Sequence, residues 1–534
     1  MKKLLLITII ISVAATSALA RPVEHYFRFT ISDRSELETL TRTISISDVR
    51  GDTVWAYANG REMAAFEQLG YTHTQLQHPG TLIEPEMALS VEELADWDSY
   101  PSYGDYVAMM YQFQTDYPNL CRIINAGSTV EGRAILFAKI SDNVDIAEDE
   151  PEVLYTSSMH GDELTGYVLM LRMIDSLLST YGTEPGITDM VDNLEIWINP
   201  LANPDGTYIT GDISVSGAIR YNANSVDLNR NFPDPDNGDH PDGNPWQPET
   251  IVMMDFAAEH NFVISANFHG GAEVLNYPWD TWSRPHPDDI WFQTVCHTYA
   301  DTAQAYSPIS YLDGFDDGIT NGYDWYPIAG GRQDFMNYWH HCREVTMEIS
   351  QTKLLPASSL PDHWNYNHVA LFQYLRQALY GIRGVVTDAY SGAPVGALVT
   401  VLDHDLDEDS SQVYCDIDIG DYHRMLSPGT YDLEFSADGY LTQQVFGVTV
   451  TEGGIAVRNI EMVPDSFVCG DVNAIDGLVS GMDLVYFVNY LFNDGPPPPH
   501  PEVCDVNSSG FLSGMDLVYL VNYLFNDGPA PNCP

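Results

Sequence analysis

His160 and Glu163 stand three residues apart in the stretch Val153 to Gly166, VLYTSSMHGDELTG. A short apolar run precedes them and small residues break it, as when a buried strand ends in a turn. An imidazole nitrogen and a carboxylate oxygen offered together at a strand end make two of the three protein ligands of a catalytic zinc site. Gly161 between them lets the backbone turn tightly. The same context recurs at His269, in SANFHGG (Ser265 to Gly271), which makes His269 the expected third ligand. His240, His260, His286, His340 and His341 lack that context and read as surface or packing residues. Hydrolysis at zinc also needs a carboxylate that takes a proton from water and passes it to the leaving amine. Glu348 suits this, a lone acid in the apolar run VTMEIS, where a charge is costly without a function or a partner. The competing reading is an ion pair with Arg343 or Lys353. Arg220 and Arg230 lie among amides in RYNANSVDLNRNFP, two of only 22 Lys and Arg in the chain. A guanidinium fork matches a carboxylate, so one arginine would hold a peptide C-terminus while the other polarises the scissile carbonyl. Surface ion pairing is the plainer alternative for both.

Elements must hold these groups. Residues 95–380 alternate strands and helices, the pattern of an α/β sheet. Expected strands are Ala134–Ile140, Glu152–Thr156, Leu194–Asn199, Phe262–Asn267 and Glu344–Ile349; expected helices are Tyr103–Tyr117, Gly166–Ser179, Thr250–His260 and Asp362–Leu379. The polar residues cluster where the strands end, as in open α/β sheets. Residues 21–94 read as a small α+β unit, either a pro-region covering the site or an accessory domain. Residues 381–464 read as short strands between Gly/Pro turns, a small all-β sandwich without clustered ligands.

Met1 to Ala20 has two lysines, an apolar run and a small-residue end, the form of a secretory leader. The expected location is therefore extracellular or cell-surface, and no later stretch is long and apolar enough to span a bilayer. The formal charge of −54 argues against a nucleic-acid partner. Seven cysteines in an oxidising compartment make pairs plausible, with at least one left over.

His160-x-x-Glu163, Asn203-Pro-Asp-Gly206, Val226-Asp-Leu-Asn-Arg-Asn-Phe-Pro233, His269-Gly-Gly, Asn276-Tyr-Pro, Asn321-Gly-x-Asp-Trp325-Tyr326 and Thr346-Met-Glu348 follow in one order. Together they resemble the zinc metallocarboxypeptidases, specifically the N/E (regulatory) subfamily, over about residues 97–380. The resemblance implies a mixed sheet with helices on both faces, followed by a transthyretin-like domain. It implies zinc on His160, Glu163 and His269, Glu348 as base and acid, and Arg220 stabilising the oxyanion. Asn229 and Arg230 would hold the terminal carboxylate, and Tyr326 would close over the substrate. Asp280 and Gln333 match positions that accompany a preference for C-terminal Lys or Arg. Asp162 stands where the subfamily usually has Asn, adding charge beside the metal, and Arg332 stands where Met is usual. The N-terminal unit is not typical of that subfamily. The alternatives are the same fold with hydrophobic or broad preference, an amidohydrolase on cell-wall peptides, a non-catalytic peptide-binding or adhesion protein, or a structural surface protein.

Residues 465–534 hold a duplication: SGMDLVYFVNYLFNDGP recurs as SGMDLVYLVNYLFNDGP. Asp505, Asn507, Ser509 and Asp516 take positions one, three, five and twelve of an EF-hand-type loop, a spacing of oxygens that wraps Ca2+. The first loop offers Asp471, Asn473, Asp476 and Asp483 with one extra residue. The bland reading is an Asp-rich turn capping a helix. The repeats resemble dockerin type I, which implies a calcium-folded module with a cohesin partner or a terminal surface module.

Overall fold

The computed structural model describes residues 23–389, 391–465, 468–474 and 477–533. The leader Met1 to Ala20 and Asp476 lie outside them.

Four strands, β1 (Glu24–Thr30), β2 (Ser45–Arg50), β3 (Thr53–Asn59) and β4 (His73–Gln75), pair antiparallel in the order β2-β3-β1-β4. Helix α1 (Gly60–Gln68) starts at a capping box, in which the Asn59 side chain accepts from Arg61 N and Glu62 N while Glu62 answers the Asn59 N–H. Its Phe66 packs on Phe27 and Phe29, which alternate inward along β1. The expected α+β unit is present.

The central sheet contains β5 (Cys121–Ser128), β6 (Ala134–Ile140), β7 (Glu152–Ser157), β8 (Glu195–Asn199), β9 (Phe262–His269), β10 (Glu273–Tyr277), β11 (Ile319–Asn321) and β12 (Arg343–Ile349), ordered β11-β10-β12-β9-β7-β8-β6-β5. The inner strands β8, β7, β9 and β12 run parallel, and antiparallel pairs flank them, so the sheet is mixed. Successive residues of the inner strands enter two different cores. Val153, Tyr155, Ile196 and Ile198 join a large one with α2 (Tyr103–Asp116), α3 (Thr165–Thr180), α5 (Asp289–Tyr306) and α6 (Leu360–Leu375). Leu154 and Trp197 join a second with α4 (Pro248–Ala258) and Phe335. Both faces are thus covered, as apolar parallel strands require. The pattern of residues 95–380 did not reveal β5, β10, β11 or α5.

Strands β13 (Gly381–Asp388), β14 (Leu398–Val401), β15 (Val413–Tyr414), β16 (Asp421–Arg424), β17 (Gly429–Ser436), β18 (Gln443–Val450), β19 (Ile455–Val457) and β20 (Ile460–Met462) form two sheets around Val386, Val399, Leu433, Phe435 and Val448. Asp288 anchors this sandwich to the catalytic unit: it accepts from Arg343 Nε at 3.0 Å, Arg424 Nη1 at 2.9 Å and Nη2 at 3.0 Å, with His404 Nε2 2.7 Å away. Arg343 is therefore not the partner of Glu348.

The tail carries α7 (Gly481–Phe492) and α8 (Gly514–Phe525), packed through Phe487 and Leu520 and closed by a Cys469–Cys533 disulfide. Cys121, Cys296, Cys342 and Cys415 are buried thiols. Asp483 and Asp516 each complete a capping box on their helix.

Candidate active site

The parallel register brings the chemistry together. Ser157 at the end of β7 pairs with Phe268, and His269 at the end of β9 pairs with Glu348 on β12. Beyond β7 the chain turns at Ser158, whose φ is 57°. Gly161 lies in the expected turn, closed by the Glu163 N–H donating to the His160 carbonyl at 3.2 Å, and a Cβ there would lie 2.4 Å from the Gly206 backbone, a close approach only glycine permits.

His160 Nδ1 is 3.0 Å from Glu163 Oε1, His269 Nδ1 is 2.8 Å from Glu163 Oε2, and the two Nδ1 atoms are 3.0 Å apart. All three residues are buried and form a group able to hold a metal ion. Both Nε2 atoms are taken up behind: His160 Nε2 is 3.0 Å from Asp227 Oδ1, and His269 Nε2 is 2.8 Å from Asn267 Nδ2. The Nε2–H bond to Asp227 leaves the His160 Nδ1 lone pair pointing inward, toward His269 Nδ1 and Glu163. Burial lowers His269 to about 4, keeping it in the neutral form a metal requires. Burial works against ionised Glu163, yet His160 and Lys353 hold it well below the usual carboxylate range. The donor set fits zinc.

Burial, then the Glu163 charge, pushes Glu348 well above the carboxylate range. Its Oε2 is buried without a hydrogen-bond partner among the described residues, as suits a base that faces water in the working site. Lys353 does not pair with it; the Lys353 ammonium donates to Glu163 and, at 3.0 Å, to the Gly270 carbonyl. Arg220 donates through Nη1 to Glu163 at 3.2 Å and through Nε to Asp227 at 3.1 Å. Asp227 is therefore a hub between a ligand histidine and this arginine. Its place beside Asn229 and Arg230 in the quoted motif was the available signal, but sequence reading gave it no role.

Arg230 and Asn229 sit on a short turn, Leu228–Arg230, where Asn229 N donates to Asp227 at 2.9 Å. Arg230 Nη1 holds the Asn229 carbonyl at 2.8 Å, and its buried Nε has no partner among the described residues. Asp280 and Gln333 meet as expected, with Gln333 Nε2 and Asn276 Nδ2 each donating to Asp280 Oδ1 at 3.1 Å. Burial pushes Asp280 up to about 7. Arg332 does not compete for this pocket: its Nε and Nη2 clasp Glu344 at 3.0 and 2.6 Å.

The N-terminal unit lies on these residues. Ser45 Oγ accepts from Arg220 Nε at 2.8 Å and donates to Asp227. The Ile46 carbonyl accepts from Arg230 Nη2 at 2.9 Å, and Tyr326 OH reaches the Ser47 carbonyl at 3.5 Å. Tyr57 OH donates to Asp162 at 3.0 Å beneath the Arg220 guanidinium, so the unusual acid beside the metal site is answered from this unit. Glu24 accepts the Arg220 and Tyr221 N–H groups, each at 3.0 Å. Tyr326, Trp325 and Ile328 share one core with Phe27, Ile46 and Phe66.

Residues 106–370 match the family model for zinc carboxypeptidase, and residues 381–463 that for the carboxypeptidase regulatory-like domain. The chain is 37% identical to carboxypeptidase D of Mus musculus over 381 residues, 68% of this chain and 27% of that protein. It thus spans about a quarter of that relative's length. It is 35% identical to the carboxypeptidase N catalytic chain of Mus musculus over 398 residues, 67% of this chain and 85% of the relative. In fold it resembles the crystal structure of carboxypeptidase A from Helicoverpa armigera, with a TM-score of 0.50 and 18% identity over 66% of this chain and 97% of that one. Thrombin activatable fibrinolysis inhibitor gives a TM-score of 0.50 at 16% identity, over 67% and 98%. The chain belongs to the zinc carboxypeptidase family.

Proposed function

We propose that this protein is a zinc-dependent carboxypeptidase that removes Lys or Arg from peptide C-termini. The observation that carries the reading is the complete set at one strand-end cluster: His160, Glu163 and His269 converging, with Glu348 beside His269 and two buried arginines within reach. Zinc held there supplies Lewis acidity toward the scissile carbonyl. Glu348 takes the proton of the attacking water and delivers it to the departing amine nitrogen. Arg220 faces the oxyanion as it develops, already fixed by Asp227 and Glu163. Arg230 and Asn229 hold the terminal carboxylate, and Asp280 pairs with the ammonium or guanidinium of the last side chain. Tyr326 closes over the bound residue.

In this arrangement the N-terminal unit is a cover. The Ile46 carbonyl takes the Arg230 donor that a substrate carboxylate needs, so the full chain is latent and residues 21–94 act as a pro-region. The leader stretch supports export. The second tail loop supports a Ca2+ site: Asp505 gathers the Ser509 and Gly510 N–H groups, and Asp516 Oδ1 is buried without a partner among the described residues. The first loop would act likewise through Asp471, Asn473 and Asp483, and its Asp476 lies outside the described residues. The tail then serves as a calcium-folded module for a cohesin-like or surface partner.

The test is release of amino acids from peptides ending in Arg, Lys, Phe or Glu, before and after limited proteolysis of residues 21–94, with and without a zinc chelator. Chelator-sensitive release of Arg and Lys after proteolysis is expected. Release of Phe alone would overturn the Asp280 assignment, and no release at all would overturn the enzyme reading.

A further inference from the structure

Asp149, Asp421 and His423 each place a ligand atom within 4.8 Å of the others'. They meet at the edge of the sheet where β7, β8 and β9 begin, whereas His160 and His269 lie where β7 and β9 end. Asp149 comes from the loop between β6 and β7, and Asp421 and His423 share one side of β16 in the sandwich. The set is divided between two units, which is why the sandwich sequence alone showed no clustered ligands.

A cavity of about 50 Å³ lies at this seam, lined by Asp421, His423, Glu148, Glu150 and Asp416 among others. It is large enough for an ion with a water. The neighbouring acids Glu195 and Glu152 have their own bases, Lys139 Nζ and His260 Nδ1, each at 2.7 Å. Among the described residues no Lys or Arg pairs with Asp149, Glu150 or Asp421.

A second observation points to a ligand. His423 is only 4% exposed and lines the cavity. Its Nε2 lies 2.8 Å from Asp421 Oδ2, while its Nδ1 is buried without a hydrogen-bond partner among the described residues. A buried imidazole with one nitrogen unanswered, on the cavity wall it shares with Asp421, adds a nitrogen donor to the carboxylates.

We propose that Asp149, Asp421 and His423 bind a divalent cation of the zinc class at this seam, separate from the centre at His160, Glu163 and His269. One imidazole with carboxylates selects a borderline cation over a purely oxygen-seeking one. Such an ion would neutralise the acidic cavity and cross-link the loop before β7 to β16.

The test uses the full chain, with its active site already loaded with zinc and calcium present throughout. Zinc per chain is counted by elemental analysis, and zinc chloride is titrated calorimetrically into wild type, Asp149→Asn and His423→Gln. Asp149 is exposed on a loop, so its variant keeps the fold even if His423→Gln disturbs the sandwich. Wild type is expected to take up one zinc more than either variant, and added zinc is expected to raise its unfolding temperature but not theirs. Equal zinc in wild type and Asp149→Asn would overturn the proposal. So would uptake at this place of calcium alone, indifferent to His423.

Discussion

Two carboxylates outside the ligand set decide how the site works. Asp227 fixes His160 through Nε2 and Arg220 through Nε, so Asp227→Asn weakens the hold on both. The expected result is a fall in zinc affinity of about 10–100-fold, read by competition with a chelator. In the proposed function Asp280 pairs with a cationic last side chain, and that role carries a pH signature. Burial raises it to about 7, so below that pH it is increasingly neutral and loses its attraction for a cationic side chain. KM for peptides ending in Arg should therefore rise as pH falls through neutrality, while KM for peptides ending in Phe stays flat. Asp280→Asn should remove the difference between the two profiles.

At the level of elements, strand ends and one covering strand set the site. His160, His269 and Glu348 were legible because each follows or interrupts an apolar run, a local signal that parallel register converts into proximity. The cover was not legible. The Ile46 carbonyl meets Arg230 across 184 residues of sequence, and Ser45 meets Asp227 across 182. Periodicity reports which face of a strand is buried but not what buries it. The same limit hid the pairing of Arg332 with Glu344 and of Lys353 with Glu163. Glu24 is the main latch of the cover, because one carboxylate answers two N–H groups and stands beside His78. Glu24→Gln keeps the shape but weakens charge-assisted bonds. The uncut variant should cleave an Arg-ending peptide several-fold faster than the uncut wild type, with no difference once residues 21–94 are removed.

For the whole molecule, the acidic balance and the division into units were readable from composition and from shifts in pattern, but the joints between units were not. Asp288, Arg343, Arg424 and His404 come from both sides of the catalytic–sandwich boundary, and their pairing depends on a fold no local motif encodes. Asp288 is buried and its carboxylate faces Arg343, Arg424 and His404, so Asp288→Asn leaves two guanidinium groups without their counter-charge. Removing one partner from such a network costs about 3–5 kcal/mol. Thermal unfolding of the variant should begin lower, with the sandwich melting in a separate, earlier step than in wild type.

In the proposed mechanism Glu348 moves the proton at a site whose metal is held by other residues. The most direct measurement is kcat of Glu348→Gln, freed of residues 21–94, on an Arg-ending peptide, with zinc content measured on the same sample. A fall in kcat of about 10²–10⁴-fold with zinc content and KM little changed is the predicted result. An unchanged kcat at full zinc occupancy would contradict the account.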